Sequence, residues 1–115
     1  TLKAVFHTEQ GTLTLTGTVF EERFPHIVQL NRYYFDIIPQ GIFIILENED
    51  RPGVIGEVGT LLGKNQINIG RWELGRMSEG STAMAAISVD TPVSETVLVQ
   101  LRNTPNVKHV RVIQL

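Results

Sequence analysis

The chain has 115 residues, 42% hydrophobic and 19% charged, the profile of a globular domain with enough apolar side chain to build a core. Ten Lys and Arg against 12 Asp and Glu give a formal net charge of -2, without the basic excess on which nucleic-acid and anionic-membrane binders rely. There is no Cys, which excludes disulfides, thiolate nucleophiles and Cys-ligated iron-sulfur or zinc sites and fits a cytoplasmic setting.

Residues 1–40 carry period-2 patterning. It is clearest where Leu13, Leu15, Gly17 and Val19 alternate with Thr12, Thr14, Thr16 and Thr18, as a half-buried strand requires. Further strands are expected over 2–7, joined through Thr8 to Gly11, over 27–30 after a turn at Pro25, and over 33–38, entered through Asn31 and Arg32. One face of such an antiparallel sheet is apolar, and nothing within residues 1–40 covers it. The cover must come from the later residues or from sequence upstream. Strand-like alternation begins at Thr1 with no Met before it, so the chain is expected to be a piece of a longer polypeptide.

Pro39, Gln40 and Gly41 punctuate the chain, and the pattern then changes. The apolar run Ile42, Phe43, Ile44, Ile45, Leu46 reads as a strand buried on both faces. It is far shorter than the roughly 18 residues of a membrane span, and no charged-then-apolar leader precedes it. From 53 to 64 the period is helical, with Val54, Ile55, Val58, Leu61 and Leu62 as the apolar stripe and Pro52 in a first-turn position. A second strand over 67–76, a polar turn over 77–80 and a third strand carrying Ala83, Ala85, Ile87 and Val89 form a hairpin. Thr91 before Pro92 reads as the opening of a second helix with Val93, Val97, Leu98 and Leu101 as its stripe. Asn103 to Asn106 end it, and 107–115 is a closing strand. The order β-α-β-β-α-β predicts an α+β, ferredoxin-like domain over 41–115, with four antiparallel strands and both helices on one face, preceded by the short β segment of residues 1–40.

No catalytic motif is present. Gly53, Gly56, Gly59 and Gly63 make neither a G-x-G-x-x-G nor a P-loop. His7, His26 and His109 lack spaced acidic partners, so a metal site is not expected. Ser78, Ser81, Ser88 and Ser94 have no nucleophile-elbow context, and no acid pair stands out for acid-base work.

The informative segment is Asn48-Glu49-Asp50-Arg51-Pro52-Gly53-Val54-Ile55-Gly56. A helix N-terminus leaves amides unpaired, so those of Gly53, Val54 and Ile55 offer a seat for a small carboxylate. Asp50, with the amide oxygens of Asn48 and Asn68, could take an ammonium group. Asn68 follows the helix and could approach the same loop. The competing reading is structural: Asp50 caps the helix, worth roughly 1 kcal/mol, and the two Asn end a strand and a turn. Arg51 has no assigned role. In the helix, Gly56, Gly59 and Gly63 gather with Thr60 on the side away from the Val54, Val58, Leu61 stripe, although glycine costs up to roughly 1 kcal/mol there relative to alanine. That bulk-free face suits close approach by a partner or ligand, or is merely tolerated in solvent. Trp72 is either exposed at an interface or part of the core.

The string N-E-D-R-P-G-V-I-G-E-V-G-T-L-L-G from Asn48 to Gly63, followed by I-N-I at 67–69, resembles the ACT domains, small-molecule sensing modules usually attached to amino-acid-metabolising enzymes. More narrowly, L-T-G-T-V-F at 15–20, I-V-Q-L at 27–30 and D-R-P-G-V-I-G at 50–56 resemble the C-terminal end of the long-form D-3-phosphoglycerate dehydrogenases. The resemblance implies that residues 1–40 are the last strands of an intervening domain and 41–115 an ACT domain, itself without catalytic residues or cofactor, attached to upstream catalytic domains that use NAD. It further implies feedback by L-serine held where two ACT domains pair, with Asn48, Asp50 and Asn68 on the ligand's polar groups and the Gly53, Val54 and Ile55 amides beside it. Some members carry an aromatic or His residue in place of Asn48 and Asn in place of Asp50, which leaves the ligand's identity open. Arg23 or His26 would be recruited if the intervening domain answers to anions. The iron-sulfur L-serine dehydratases join the same two kinds of segment and are the alternative parent. A ligand-free oligomerisation domain is the alternative of another class. An RNA-binding use of this topology lacks its stacking aromatics and positive charge.

Overall fold

A computed structural model describes residues 2–8, 11–20, 24–30, 33–38, 40–75 and 82–115. The turn expected over 77–80, Asn31, Arg32, Pro39 and Arg23 lie outside them, as do two residues of the turn between Thr8 and Gly11. The first sheet is an antiparallel meander of β1 (Leu2–Thr8), β2 (Gly11–Phe20), β3 (Phe24–Leu30) and β4 (Tyr33–Ile37), in that spatial order. Pro25 lies inside β3, opposite Val19 of β2, rather than in a turn. Among the described residues the pairing of β3 with β4 begins at Ile27, so no described partner stands on that side of Pro25, the position in a sheet that tolerates proline.

The second sheet contains β5 (Ile42–Glu49), β6 (Ile69–Gly75), β7 (Thr82–Val89) and β8 (Val107–Gln114) in the order β6-β7-β5-β8, with α1 (Val54–Lys64) and α2 (Glu95–Arg102) in the two crossovers. All three strand pairings are antiparallel. This is the ferredoxin-like arrangement that the element order predicts. The apolar run occupies β5, between β7 and β8, where Ile44 faces Ile87 on one side and Val112 on the other.

Burial on two faces explains the unbroken apolar run. On the helix side Ile44 and Leu46 pack with Val54, Val58 and Leu62 of α1 and Val97 and Leu101 of α2. On the other side Phe43 and Ile45, with Met84, Ala86 and Ile113, pack against Tyr33, Phe35 and Ile37 of β4. The second sheet therefore supplies the missing cover for this end of the first.

Two of the boundaries that differ from the sequence expectation do so for a capping reason. Helix α2 opens at Glu95 rather than behind Pro92, because Ser94 is its N-cap and its hydroxyl accepts from Val97 N at 3.3 Å; a hydroxyl that satisfies an orphan amide outweighs a proline that only presets φ. Val93 and Leu98, both partly buried against the core, stand at the N′ and N4 positions of a hydrophobic staple. Strand β6 begins at Ile69, because Ile67 belongs to the end of α1. There Gln66 adopts a left-handed φ of 59°, its amide donates to Gly63 O, and Ile67 N donates to Leu62 O, both at 3.0 Å. That is a Schellman closure with Gln in the place usually held by Gly, and buried Ile67 makes its apolar contact.

Candidate functional site

The segment 50–53 joins the end of β5 to the start of α1. Asn48, the penultimate residue of β5, is buried and donates through Nδ2 to Glu49 O at 2.7 Å. Glu49 N donates to Asn106 O at 2.8 Å and Arg51 N to Glu49 O at 2.8 Å, so the chain leaves the sheet through a tight three-residue turn. Gly53 is the N-cap of α1 with φ 92°, a conformation that costs a residue with a Cβ.

Among the described residues no side chain caps this helix. Its first intrahelical bond runs from Glu57 N to Gly53 O at 3.0 Å, so the amides of Val54, Ile55 and Gly56 have no acceptor within the helix. Asp50 is exposed and does not bond to them. The structural alternative for Asp50, a capping role, is thereby removed, and the helix start keeps its positive potential.

Asn48, Asp50, Val54 and Ile55 converge on one cavity of about 300 Å³ on the helix side of the sheet. Arg51 adds to its polar lining and Thr82 borders it, while Leu46, Trp72, Leu74 and Ala85 form an apolar wall. The sequence alone gives Arg51, Trp72, Leu74 and Thr82 no ligand role. Trp72 was visible only as a large side chain with two possible fates, and Leu74 and Thr82 come from the hairpin strands, whose alignment with the loop is a tertiary fact.

A β-bulge between Ile69 and Arg71 sets that wall. Beyond it Trp72 pairs with Ile87 and Leu74 with Ala85, partners whose side chains belong to the helix-side core, so Trp72 and Leu74 turn toward α1. At the bulge Ser88 Oγ accepts from Arg71 N at 2.7 Å, and a Cβ on Gly70 would stand 2.8 Å from that oxygen. Trp72 is half-buried against the helix-side core, and its indole Nε1 is buried without a hydrogen-bond partner.

Asn68 does not join the loop within one chain. β5 and β6 both run antiparallel to β7, hence parallel to each other, so the start of β6 lies with the start of β5. Val89 pairs with both Ile69 and Ile42, which leaves Asn68 the length of β5 from Asn48, about 20 Å. Its Nδ2 donates to Asp90 Oδ2 at 3.1 Å instead. The sequence expectation fails because following a helix back says which end of the sheet the next strand starts from, and that is the far end.

Gly53 does not line that cavity; it borders a wider, open groove of about 840 Å³ between the helices, with Gly56, Glu57, Thr60, Lys64 and Gln100 along it. A Cβ built on Gly56, Gly59 or Gly63 would meet nothing within 4 Å. No neighbour within the described residues demands glycine at these three positions. Among the described residues no group of three His, Asp or Glu could hold a metal ion, and no helix is long and apolar enough to cross a membrane.

The ACT domain family model matches residues 42–106. Over 107 residues the chain is 33% identical to the D-3-phosphoglycerate dehydrogenase of Bacillus subtilis, covering 93% of this chain and 20% of that protein. Over 114 residues it is 31% identical to the D-3-phosphoglycerate dehydrogenase of Methanocaldococcus jannaschii, covering 99% of this chain and 22% of the relative. The protein of the same name from Archaeoglobus fulgidus is 38% identical over 89 residues, 76% of this chain and 17% of its own. The chain thus spans about a fifth of the length of the curated relatives it matches.

Proposed function

This chain belongs to the ACT domain family, and from that premise we propose that it is a regulatory module binding a free amino acid, L-serine foremost, at the loop between β5 and α1. The observation that carries the reading is the start of α1, which no described side chain caps, beside an Asp50 with no bonded partner among the described residues. One cavity of about 300 Å³ offers a carboxylate for an ammonium group and, at its α1 edge, amides for a carboxylate, none of them bonded to a described residue. Asn48 adds an amide oxygen, and Leu46, Trp72 and Leu74 keep water from one side, which strengthens each polar contact.

In this proposal the ligand is shared by two copies of the chain. β6 is an edge strand that carries exposed Ile69 and Leu74. Antiparallel pairing of two such edges about a two-fold axis brings the start of one β6, with Asn68, beside the end of the other, where Leu74 and Gly75 line the cavity. The amide far from the loop in one chain becomes its neighbour across the seam. Gly56, Gly59 and Gly63, where a Cβ would meet nothing within 4 Å among the described residues, are proposed as a further surface for contact between copies or with a flanking domain.

The similarity to D-3-phosphoglycerate dehydrogenases across nearly the whole chain supports placing the module at the end of such an enzyme. Residues 1–40 would be the last strands of an intervening domain and 41–115 the ACT domain. Catalysis and NAD belong in this reading to upstream domains, in the cytoplasm, and the amino acid acts on them at a distance as feedback on serine biosynthesis. Its effect is a coupling free energy, typically about 1 to 3 kcal/mol, arising because the ligand prefers one arrangement of the seam. Calorimetric titration of the chain with L-serine, then with the other L-amino acids, tests the proposal. Saturable heat with L-serine is expected, and a flat trace across the whole panel would leave only an assembly role.

A further inference from the structure

The wall between the amino-acid pocket and the first sheet is one strand layer thick. Gly75, at the end of β6, and Thr82, at the start of β7, line the pocket, and the same two residues receive β4 on the opposite side. The Tyr33 hydroxyl and Thr82 Oγ1 share a hydrogen bond of 2.8 Å. The Phe35 ring lies so close over Gly75 that a Cβ there would overlap it. Tyr33 is 1% exposed and Phe35 8%, so the seam is dry as well as close.

We infer that this seam, Tyr33 on Thr82 and Phe35 on Gly75, is the joint through which occupancy of the pocket reaches the first sheet. The inference rests on the amino-acid-binding reading and adds to it the route by which binding is felt outside the ACT domain. A ligand that draws the Asp50 loop toward the β6 and β7 ends bears on strands whose far side is already in contact with β4. Close-packed interiors have little room to absorb such a displacement. β4 is in turn an edge of the meander, bonded to β3, so a shift of β4 passes into the first sheet through the strand ladder. Linkage then makes the effect reciprocal: what alters the seat of β4 alters affinity for the amino acid. Tyr33 and Phe35 are positioning residues in this scheme, since neither lines the pocket.

The test is hydrogen-deuterium exchange on the full chain with and without saturating L-serine, beside calorimetric titration, for the wild type, Tyr33→Phe and Phe35→Leu. In the wild type L-serine should slow exchange over 48–56 and also over 33–38. Both variants should keep the slowing over 48–56, lose it over 33–38, and bind L-serine with a Kd changed about five-fold or more, the lower end of usual site-to-site coupling. Slowing over 48–56 alone in the wild type, or variants of unchanged affinity, would overturn the joint and leave the pocket standing. No slowing anywhere and no heat would overturn both. The wild-type exchange pattern decides the matter even if a variant fails to fold.

Discussion

Replacing Asp50 by alanine separates a ligand carboxylate from a structural one. Gly53 holds the N-cap of α1 and no described side chain bonds to the helix start, so Asp50→Ala removes no capping hydrogen bond. Asp50 is also exposed. A surface change of that kind falls within about 0.5 kcal/mol, which for a domain near 100 residues moves Tm by no more than about 2 to 4 °C. A hydrogen bond between carboxylate and ammonium is worth about 1.5 to 3 kcal/mol, and exposure to solvent places this one at the lower end. At about 1.4 kcal/mol per factor of ten, the expected loss of amino-acid affinity is roughly ten-fold. Calorimetric titration gives the affinity and differential scanning calorimetry the Tm. An unchanged Kd, or a Tm drop of about 8 °C, would refute the assignment, the first by showing that the carboxylate touches no ligand and the second by restoring the structural role.

Gly59→Leu should leave the isolated chain folded or slightly more stable, because its Cβ has open space and glycine is the poorer helix former, yet shift sedimentation toward smaller species; an unchanged profile would remove the bulk-free face as an assembly surface. Asn68→Ala, far from the loop within its own chain, should weaken L-serine binding only where two copies associate, so affinities of wild type and variant should converge on dilution below the dissociation constant of the pair. Ser94→Ala deletes the N-cap of α2 and should cost about 1 kcal/mol, a Tm lower by about 4 to 8 °C with L-serine affinity unchanged.

The order of strands and helices was legible because local pattern and tertiary use agree in 41–115. Five apolar residues in a row are needed only by a strand packed on both faces, and β5 is packed on both. Boundaries slipped where a cap competes with a periodic signal. Ile67 continues the apolar pattern toward β6 but is spent on closing α1, and Pro92 advertises a helix start that Ser94 provides. Residues 1–40 showed an apolar face in need of cover, but the identity of the cover was out of reach. Nothing local to Tyr33 or Phe35 says that Thr82 and Gly75 will meet them.

The same distinction divides the candidate site. Asn48, Asp50, Val54 and Ile55 lie within one strand-turn-helix, and their meeting in a single cavity follows from a short loop that keeps sequence neighbours together. Trp72 and Leu74 arrive through a register that one bulge residue resets, and simple alternation along the strand carries no sign of such a bulge. Asn68 itself is the sharper case. The sign of its error is fixed by the topology, since a strand parallel to β5 cannot begin where β5 ends. If Asn68 belongs to an amino-acid site, the fold requires that the site be built by two chains, and the dilution behaviour of Asn68→Ala follows from strand direction alone.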